Sequence, residues 1–316
     1  MEKVILIILF NHKFERNLQR LRELYASRFD HICFIMPFYK GTDADVITVY
    51  EHSYIFQGYL AQALKEIKKK QYNHYLIIGD DLLLHPDINQ HNYKQYFKVD
   101  EDTAFIPGIY LLDDETRLKE NEMWFWYHNA MSFRSNKPGV EVQNELPDFT
   151  IAAELLKKHG YNFNPYLSKR LLVEKVPKIK NKDDEPLKIQ VENVIGWFRL
   201  WIKYSFRSRR KLHYPMVGSY SDAIVIPHAC IDSFTHYCGV FAALDLFVEI
   251  AIPTALLFAA KRVVQEKDLQ YKGRTFWGDE DITTMEKQYN NNLENLFINF
   301  PKDTLYIHPV KLSRWK

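Results

Sequence analysis

The sequence predicts an α/β protein in which a mainly parallel, nucleotide-binding type of sheet in the first hundred residues runs on into a mixed α/β half. Three observations predict it. The apolar, partly β-branched run Val4–Phe10 is followed by leucines at helical spacing, Leu18, Leu21 and Leu24, and then by a second apolar run in HICFIMPFY, which together make a βαβ unit. The pattern then repeats: a third short strand at Val46–Tyr50, a helix from about Ile55 with Phe56, Leu60 and Leu64 on one face and a basic last turn at Lys68–Lys70, and a fourth strand at Tyr75–Ile78. Finally, Gly79 lets the chain turn where that strand ends, and Asp80 and Asp81 follow at once, at the edge where open α/β sheets bind their ligands.

Composition sets the limits on this reading. With 316 residues, 47% of them hydrophobic and 15% aromatic, the chain has ample material for a large core, which excludes disorder. Its 42 basic and 40 acidic residues nearly cancel, so nothing in the overall charge attracts nucleic acid and no nucleic-acid partner is expected. Cys33, Cys230 and Cys238 lie in apolar contexts without metal-ligand spacing and read as reduced core residues, which points to a cytoplasmic setting. Val4–Phe10 is too short for a signal core and flows into NHKFERN. Val240–Ala260 is long enough to span a bilayer, but Asp245, Glu249 and Pro253 argue for a buried helix instead.

From Asp100 the pattern changes. AFIPGIYLL, MWFWYHNAMSF and VGSYSDAIVIP read as strands, and PDFTIAAELLKKHG as a helix ending at Gly160, so residues 1–100 and 101–316 form two halves of different texture. Lys175–Lys188 is a charged excursion. In Val194–Pro215, Trp197, Phe198 and Trp201 lead into Lys203, Arg207, Arg209, Arg210 and Lys211. That composition suits a helix lying on anionic lipid, and equally a helix with core aromatics and a solvated basic end.

Four groups of residues carry candidate chemistry. Adjacent carboxylates at a strand end, Asp80 and Asp81, repel each other unless a cation lies between them, and a divalent ion carrying a phosphate would do so; an Asx-type turn is the alternative. Glu249 is an acid within FVEIAIPTAL, where desolvation raises a carboxylate toward the basicity of a general base, although a salt bridge would also account for it. Pro253 is expected at the first turn of a new helix, with Glu249 just ahead of it. FWGDEDI offers Asp279, Glu280 and Asp281, as a second acidic site or as a helix cap. Near the end, His308 leaves a short strand, with Lys311 three residues on: an imidazole able to complete a metal site and an ammonium able to neutralise a diphosphate.

Taken together, GDDLLLHP, FVEIAIPTAL, WGDED and HPVK resemble the motifs of metal-dependent glycosyltransferases of the GT-A fold, in the same order along the chain. The resemblance implies a GT-A-like domain, with a nucleotide-sugar half at 1–100 and an acceptor and catalytic half at 101–316. It implies a manganese or magnesium ion at Asp80, Asp81 and His308, and a nucleoside-diphosphate sugar, UDP-linked, as donor. Phe10, Asn11, Ser53, Gln57, Asp80 and Lys311 would contact that donor. Glu249 is the expected base, with Asp281 as the competing acid, and the acceptor would be a saccharide or lipid-linked saccharide, met in the cytoplasm or at the inner membrane face through residues 197–211. Gly79 stands where the family's motif has its first acid, so only Asp80 and Asp81 carry over. A nucleotidyltransferase is the alternative enzyme, but NHKFERN lacks the glycines of a phosphate loop; a non-catalytic nucleotide-binding protein is the alternative outside enzymes.

Overall fold

The computed structural model describes residues 3–113, 124–142, 144–167 and 210–316, with a few helical positions between 191 and 199. In chain order the first part contains β1 (Val4–Leu9), α1 (Leu18–Tyr25), β2 (Ile32–Pro37), β3 (Val46–Val49), α2 (Phe56–Ile67), β4 (His74–Gly79), β5 (Leu83–Leu84), α3 (Tyr93–Phe97), β6 (Thr103–Phe105) and β7 (Tyr110–Leu111). Then come α4 (Trp124–Ser132), α5 (Phe149–Lys158), β8 (Tyr166–Leu167), β9 (Arg210–Lys211), β10 (Val217–Gly218) and β11 (Ala223–Pro227). The chain closes with α6 (Ile231–Ala243), α7 (Val248–Ala259), β12 (Arg262–Val264), β13 (Lys272–Thr275), α8 (Asp279–Gln288), α9 (Leu293–Ile298) and β14 (Thr304–His308).

A seven-stranded sheet in the order β12-β6-β11-β4-β1-β2-β3 organises the molecule. β1, β2, β3 and β4 pair in parallel, as the alternation of strands and helices predicts, and β12 pairs in parallel with β6. β11 alone runs against its neighbours, β4 and β6. Both halves of the sequence therefore contribute to one sheet. Successive residues of β1 point to opposite faces: Ile5 and Ile7 pack with Tyr59, Leu60 and Leu64 of α2, Phe234 and Phe241 of α6 and Leu256 of α7, while Leu6 and Ile8 pack with Leu18 and Leu21 of α1 and Leu305 of β14. Leu6, Ile7 and Ile8 are wholly buried, so truncating one of them costs about 2–5 kcal/mol.

Several elements differ from the sequence-based expectation. MWFWYHNAMSF is the helix α4 and not a strand; Trp126 and Ala130, one helical turn apart, both face the core, and an aromatic-rich run fits either period until its partner surface is known. The helix bearing Pro253 starts at Val248, well before the proline, because α6 ends first: Asp245 adopts φ 55° and the Leu246 N–H reaches back to the Phe241 carbonyl, closing a Schellman-type turn. Arg210–Lys211 forms a strand with Tyr166–Leu167 where a basic helix end is expected, while the charged stretch 175–188 and most of 197–209 lie outside the described residues. All three cysteines are free and buried, and among the described residues no helix is long and apolar enough to cross a membrane.

A second, three-stranded sheet, β13-β14-β5, hangs from the end of β4 and carries the C-terminal segment. Arg20 of α1 anchors that segment by donating to the carbonyls of Leu312 (2.8 Å) and Trp315 (2.6 Å). Replacing Arg20 with Ala removes the donor from two carbonyls at once and should lower stability by about 1–3 kcal/mol. A urea titration measures this as a lower midpoint at constant slope, and an unchanged midpoint would mean that the C-terminal segment is held by other contacts.

Candidate functional site

The chain leaves β1 toward β2 and β3 on one side and returns to β4 on the other, so the carboxyl ends of β1 and β4 lie side by side at the switch in strand order, the place where open α/β sheets form a ligand crevice. The residues at its lip are fixed by backbone hydrogen bonds. The Asp80 N–H donates to the Leu9 carbonyl (2.9 Å), and the Asn11 N–H donates to Asp80 Oδ1 (3.3 Å). Because β11 is antiparallel to β4, it begins where β4 ends; Ala223 lies opposite Ile78, and the Asp222 carbonyl accepts the Gly79 N–H at 3.3 Å. The pairing of β14 with β5 brings His308 to the same place, where the Val310 N–H donates to the Asp81 carbonyl at 2.6 Å.

Three carboxyl groups meet one imidazole here. His308 Nε2 lies 3.3 Å from Asp81 Oδ1, and His308 Nδ1 lies 3.5 Å from Asp222 Oδ2. That second pair is too poorly aligned for a hydrogen bond, so both of its atoms are buried without one. Burial and the neighbouring Asp81 charge push Asp80 up to about 7. Burial would raise Asp81 too, but the His308 imidazole outweighs it and holds that carboxyl below its ordinary range, with help from the Lys311 charge. Burial works against a charged His308, yet Asp222, Asp81 and Asp80 together raise it to about 9. Gly79 sits close to this cluster: a Cβ there would lie 3.1 Å from Asp81 Oδ1.

Among the described residues no group of three or more His, Cys, Asp or Glu side chains is arranged to hold a metal. The Asp81–His308 pair offers one oxygen and one nitrogen donor, and a divalent cation bound there would take its remaining ligands from phosphate and water, as magnesium and manganese do when they accompany a nucleotide. The residues present fit such an ion with one or two protein ligands, and Lys311 adds positive charge beside them.

Glu249 belongs to the first turn of α7, and Pro253 governs how it is held. In a regular helix the N–H of residue 253 would bond the carbonyl of Glu249, but proline has no N–H. The freed carbonyl accepts the Ser219 N–H instead, at 2.8 Å. Two residues before Ser219, the Val217 N–H donates to Thr254 Oγ1 (3.2 Å). The segment between β10 and β11 is thus laced onto α7, so that Glu249 and Asp222 sit on one assembly. The side chain of Glu249 is held by Trp126, whose indole N–H donates to Oε2. Burial pushes this carboxyl up to about 7, the indole partly opposes the shift, and the Asp222 charge adds to it. Gly218 is required beneath the indole, since a Cβ there would come within 2.4 Å of the Trp126 ring.

From Trp126 a run of aromatic rings leads back to the acidic cluster. Trp126 packs on Tyr220 with ring centres 5.0 Å apart, Tyr220 on Trp277 at 4.6 Å, and Trp277 stands edge-on to His308 at 6.4 Å.

The other expected site residues fall in varied places. Asn11, Asp80, Asp81, His308 and Lys311 share the crevice lip, and Ser53 is half-buried at the start of a short 3₁₀ turn before α2. Phe10 and Gln57 depart from the expectation that they touch a donor: Phe10 is buried against Phe34, and Gln57 is fully buried, donating to the Leu246 carbonyl at 2.5 Å. Asp281 lies exposed in the first turn of α8 with Asp279 and Glu280, where acids favour the helix dipole. The sequence reading did not single out Asp222, Tyr220 or Trp126. An acid directly ahead of the apolar run AIVIP was the available signal for Asp222, once that run is placed antiparallel to β4.

Two tests follow from the Glu249 environment. A carboxyl with a raised folded pKa binds its proton more tightly when folded, so its contribution to stability is greatest at acid pH and is lost as pH rises from the unfolded value of 4.5 through about 7. Glu249→Gln removes that loss, and its stability relative to the native chain should increase across this window and level off above it; a pH-independent difference in urea unfolding would contradict the raised value. Pro253→Ala restores an N–H that competes for the Glu249 carbonyl, and hydrogen exchange at the Ser219 amide should quicken. Unchanged exchange would mean that the carbonyl serves both donors. No family model and no curated protein matches this chain.

Proposed function

We propose that this chain is a metal-dependent glycosyltransferase of GT-A type. It would move a sugar from a nucleoside-diphosphate donor, most simply UDP-linked, to a hydroxyl of a saccharide, free or lipid-linked. One observation carries the reading: a carboxylate–imidazole cluster at the carboxyl ends of β1 and β4 and a half-buried carboxyl on α7, raised to about 7, are joined by a run of aromatic rings. A cation at Asp81 and His308 would supply charge neutralisation for the departing diphosphate, beside Lys311. Glu249, oriented by Trp126 and tuned toward 7, is suited to take the proton from the acceptor hydroxyl as it attacks the anomeric carbon. Attack by a base-activated hydroxyl in one displacement inverts that centre.

The donor's base would lie along the same sheet edge, where Phe38, Tyr50 and Tyr54 are 53%, 72% and 61% exposed and Phe38 and Tyr50 meet edge to face at 6.0 Å. Asn11 and Ser53 are within that region, in place of the buried Phe10 and Gln57. A cytoplasmic enzyme touching the inner membrane face through 197–211 would suit a lipid-linked acceptor, and flotation with anionic liposomes tests it: absence of binding leaves a free saccharide.

Calorimetry should detect UDP binding that depends on manganese or magnesium and is lost in Asp81→Asn; metal-independent binding unaffected by that change contradicts the site. In a donor and acceptor assay Glu249→Gln should lose roughly 10²–10⁴-fold in turnover with donor affinity kept, and Asp281→Asn far less. The reverse ranking in folded variants transfers the base to α8, and a product with retained configuration rejects single displacement.

A further inference from the structure

The His308 ring faces a carboxylate on each edge. Nε2 lies 3.3 Å from Asp81 Oδ1, and Nδ1, on the other edge, lies 3.5 Å from Asp222 Oδ2; among the described residues these are the two carboxylates within 4.0 Å of the ring. The two edges differ in access. The Asp81 side chain keeps 35% of its surface open, against 22% for Asp222 and 15% for His308, while Nδ1 and Oδ2 are both shut off from water without a hydrogen bond. A polar pair left unbonded in a dry place works against the fold, so its presence calls for another reason. Chain geometry does not supply one, because it is the Asp222 carbonyl, not its carboxylate, that accepts the Gly79 N–H. The backbone around His308 is also fixed: its carbonyl accepts the Phe276 N–H (2.9 Å), and two residues on the Val310 N–H donates to the Asp81 carbonyl (2.6 Å). Only the side-chain torsions are left to decide which atom of the ring stands beside Asp81.

We propose that Asp222 is a positioning residue for the cation site: it holds the Nδ1–H edge of His308, so that Nε2 is the nitrogen presented beside Asp81. This rests on the cation site of the glycosyltransferase reading and adds a residue to it. An imidazole ligates a cation through the lone pair of a nitrogen that carries no proton, and its other nitrogen then keeps the proton. A half-turn of the ring about its Cβ–Cγ bond exchanges Nε2 with Cε1 and would leave a C–H group where the ligand nitrogen is needed. An ionised carboxylate only accepts, so Asp222 beside Nδ1 selects both the tautomer and the orientation that free Nε2. Neither of the other two acids of the cluster is placed for this task. Asp81 faces Nε2 and is itself the proposed oxygen ligand, and Asp80 Oδ1 accepts the Asn11 N–H at 3.3 Å. Asp222 lies across the ring from Asp81, so its effect on a cation passes through the imidazole.

The test uses the full chain and manganese alone, followed by calorimetry, with circular dichroism to establish that each variant is folded. Asp222→Ala should bind manganese roughly 10–100-fold more weakly than the native chain. Asp222→Asn keeps the shape, but its amide can donate to Nδ1 as well as accept from it, so it no longer selects the tautomer and should also lose affinity. In a His308→Ala background the same changes at Asp222 should have little further effect, because the residue they act through is gone. Imidazole nitrogen NMR with zinc as a diamagnetic probe reads the tautomer itself: Nδ1 protonated and Nε2 not in the native chain, and a mixture in Asp222→Ala. Unchanged manganese affinity in both Asp222 variants, equal losses with and without His308, or a protonated Nε2 in the zinc-bound native chain overturns the assignment. Absence of manganese binding by the native chain overturns it together with the cation site. Manganese binding that follows the expected pattern, without transfer from any donor, supports the role of Asp222 and overturns the glycosyltransferase reading alone.

Discussion

The arrangement depends on the turn Gly79–Asp81, through which three separate strands are tied to one spot. Its backbone accepts and donates in three directions: Asp80 N–H to the end of β1, Gly79 N–H to the start of β11, and the Asp81 carbonyl from the residue two past the end of β14. Each of these bonds is ordinary, contributing about 0.5–1.5 kcal/mol net. Their joint effect is geometric. An antiparallel β11 in a parallel neighbourhood is what delivers Asp222 to the carboxyl end of β4, and a short second sheet rooted at β5 is what delivers His308. A fully parallel sheet would carry the residue before β11 to the opposite edge.

The same turn concentrates negative charge. Asp80, Asp81 and Asp222 all act on His308; burial first raises Asp80 and Asp222, and the Asp81 charge adds to both shifts, although for Asp222 the His308 imidazole opposes it more strongly. Half-buried carboxyl groups in excess over the positive groups beside them cost stability until something positive joins them. On the proposed function, that positive group would be a cation carrying the donor's diphosphate. Pro253 follows the same logic in the backbone: a helix gives up one internal bond, and the carbonyl so released fastens the Asp222-bearing segment to the helix that carries Glu249.

Much of the sheet was legible because its signals are local. Apolar runs of strand length and leucines at helical spacing mark β1, α1, β2 and β4, and a glycine followed by acids marks the strand end at Asp80. Glu249 was legible by contrast, as an acid among apolar residues. What stayed hidden depends on distant pairing. Asp222 has meaning only once β11 is known to oppose β4, and Trp126 only once α4 is a helix packed beneath Glu249. Phe10 directly follows β1 and Gln57 lies in the first turn of α2, positions that resemble ligand contacts, but both side chains turn into the core, which packing and not sequence position decides.

The central claim is that the crevice between β1 and β4 receives a cation together with a nucleoside diphosphate. Anomalous diffraction at the manganese edge, from crystals equilibrated with manganese and UDP, tests it most directly. The account predicts a single strong peak within bonding distance of Asp81 and His308, with diphosphate density adjoining it on the Lys311 side. Ordered UDP in that crevice with no manganese peak at Asp81 and His308, or a peak bound elsewhere, would contradict it.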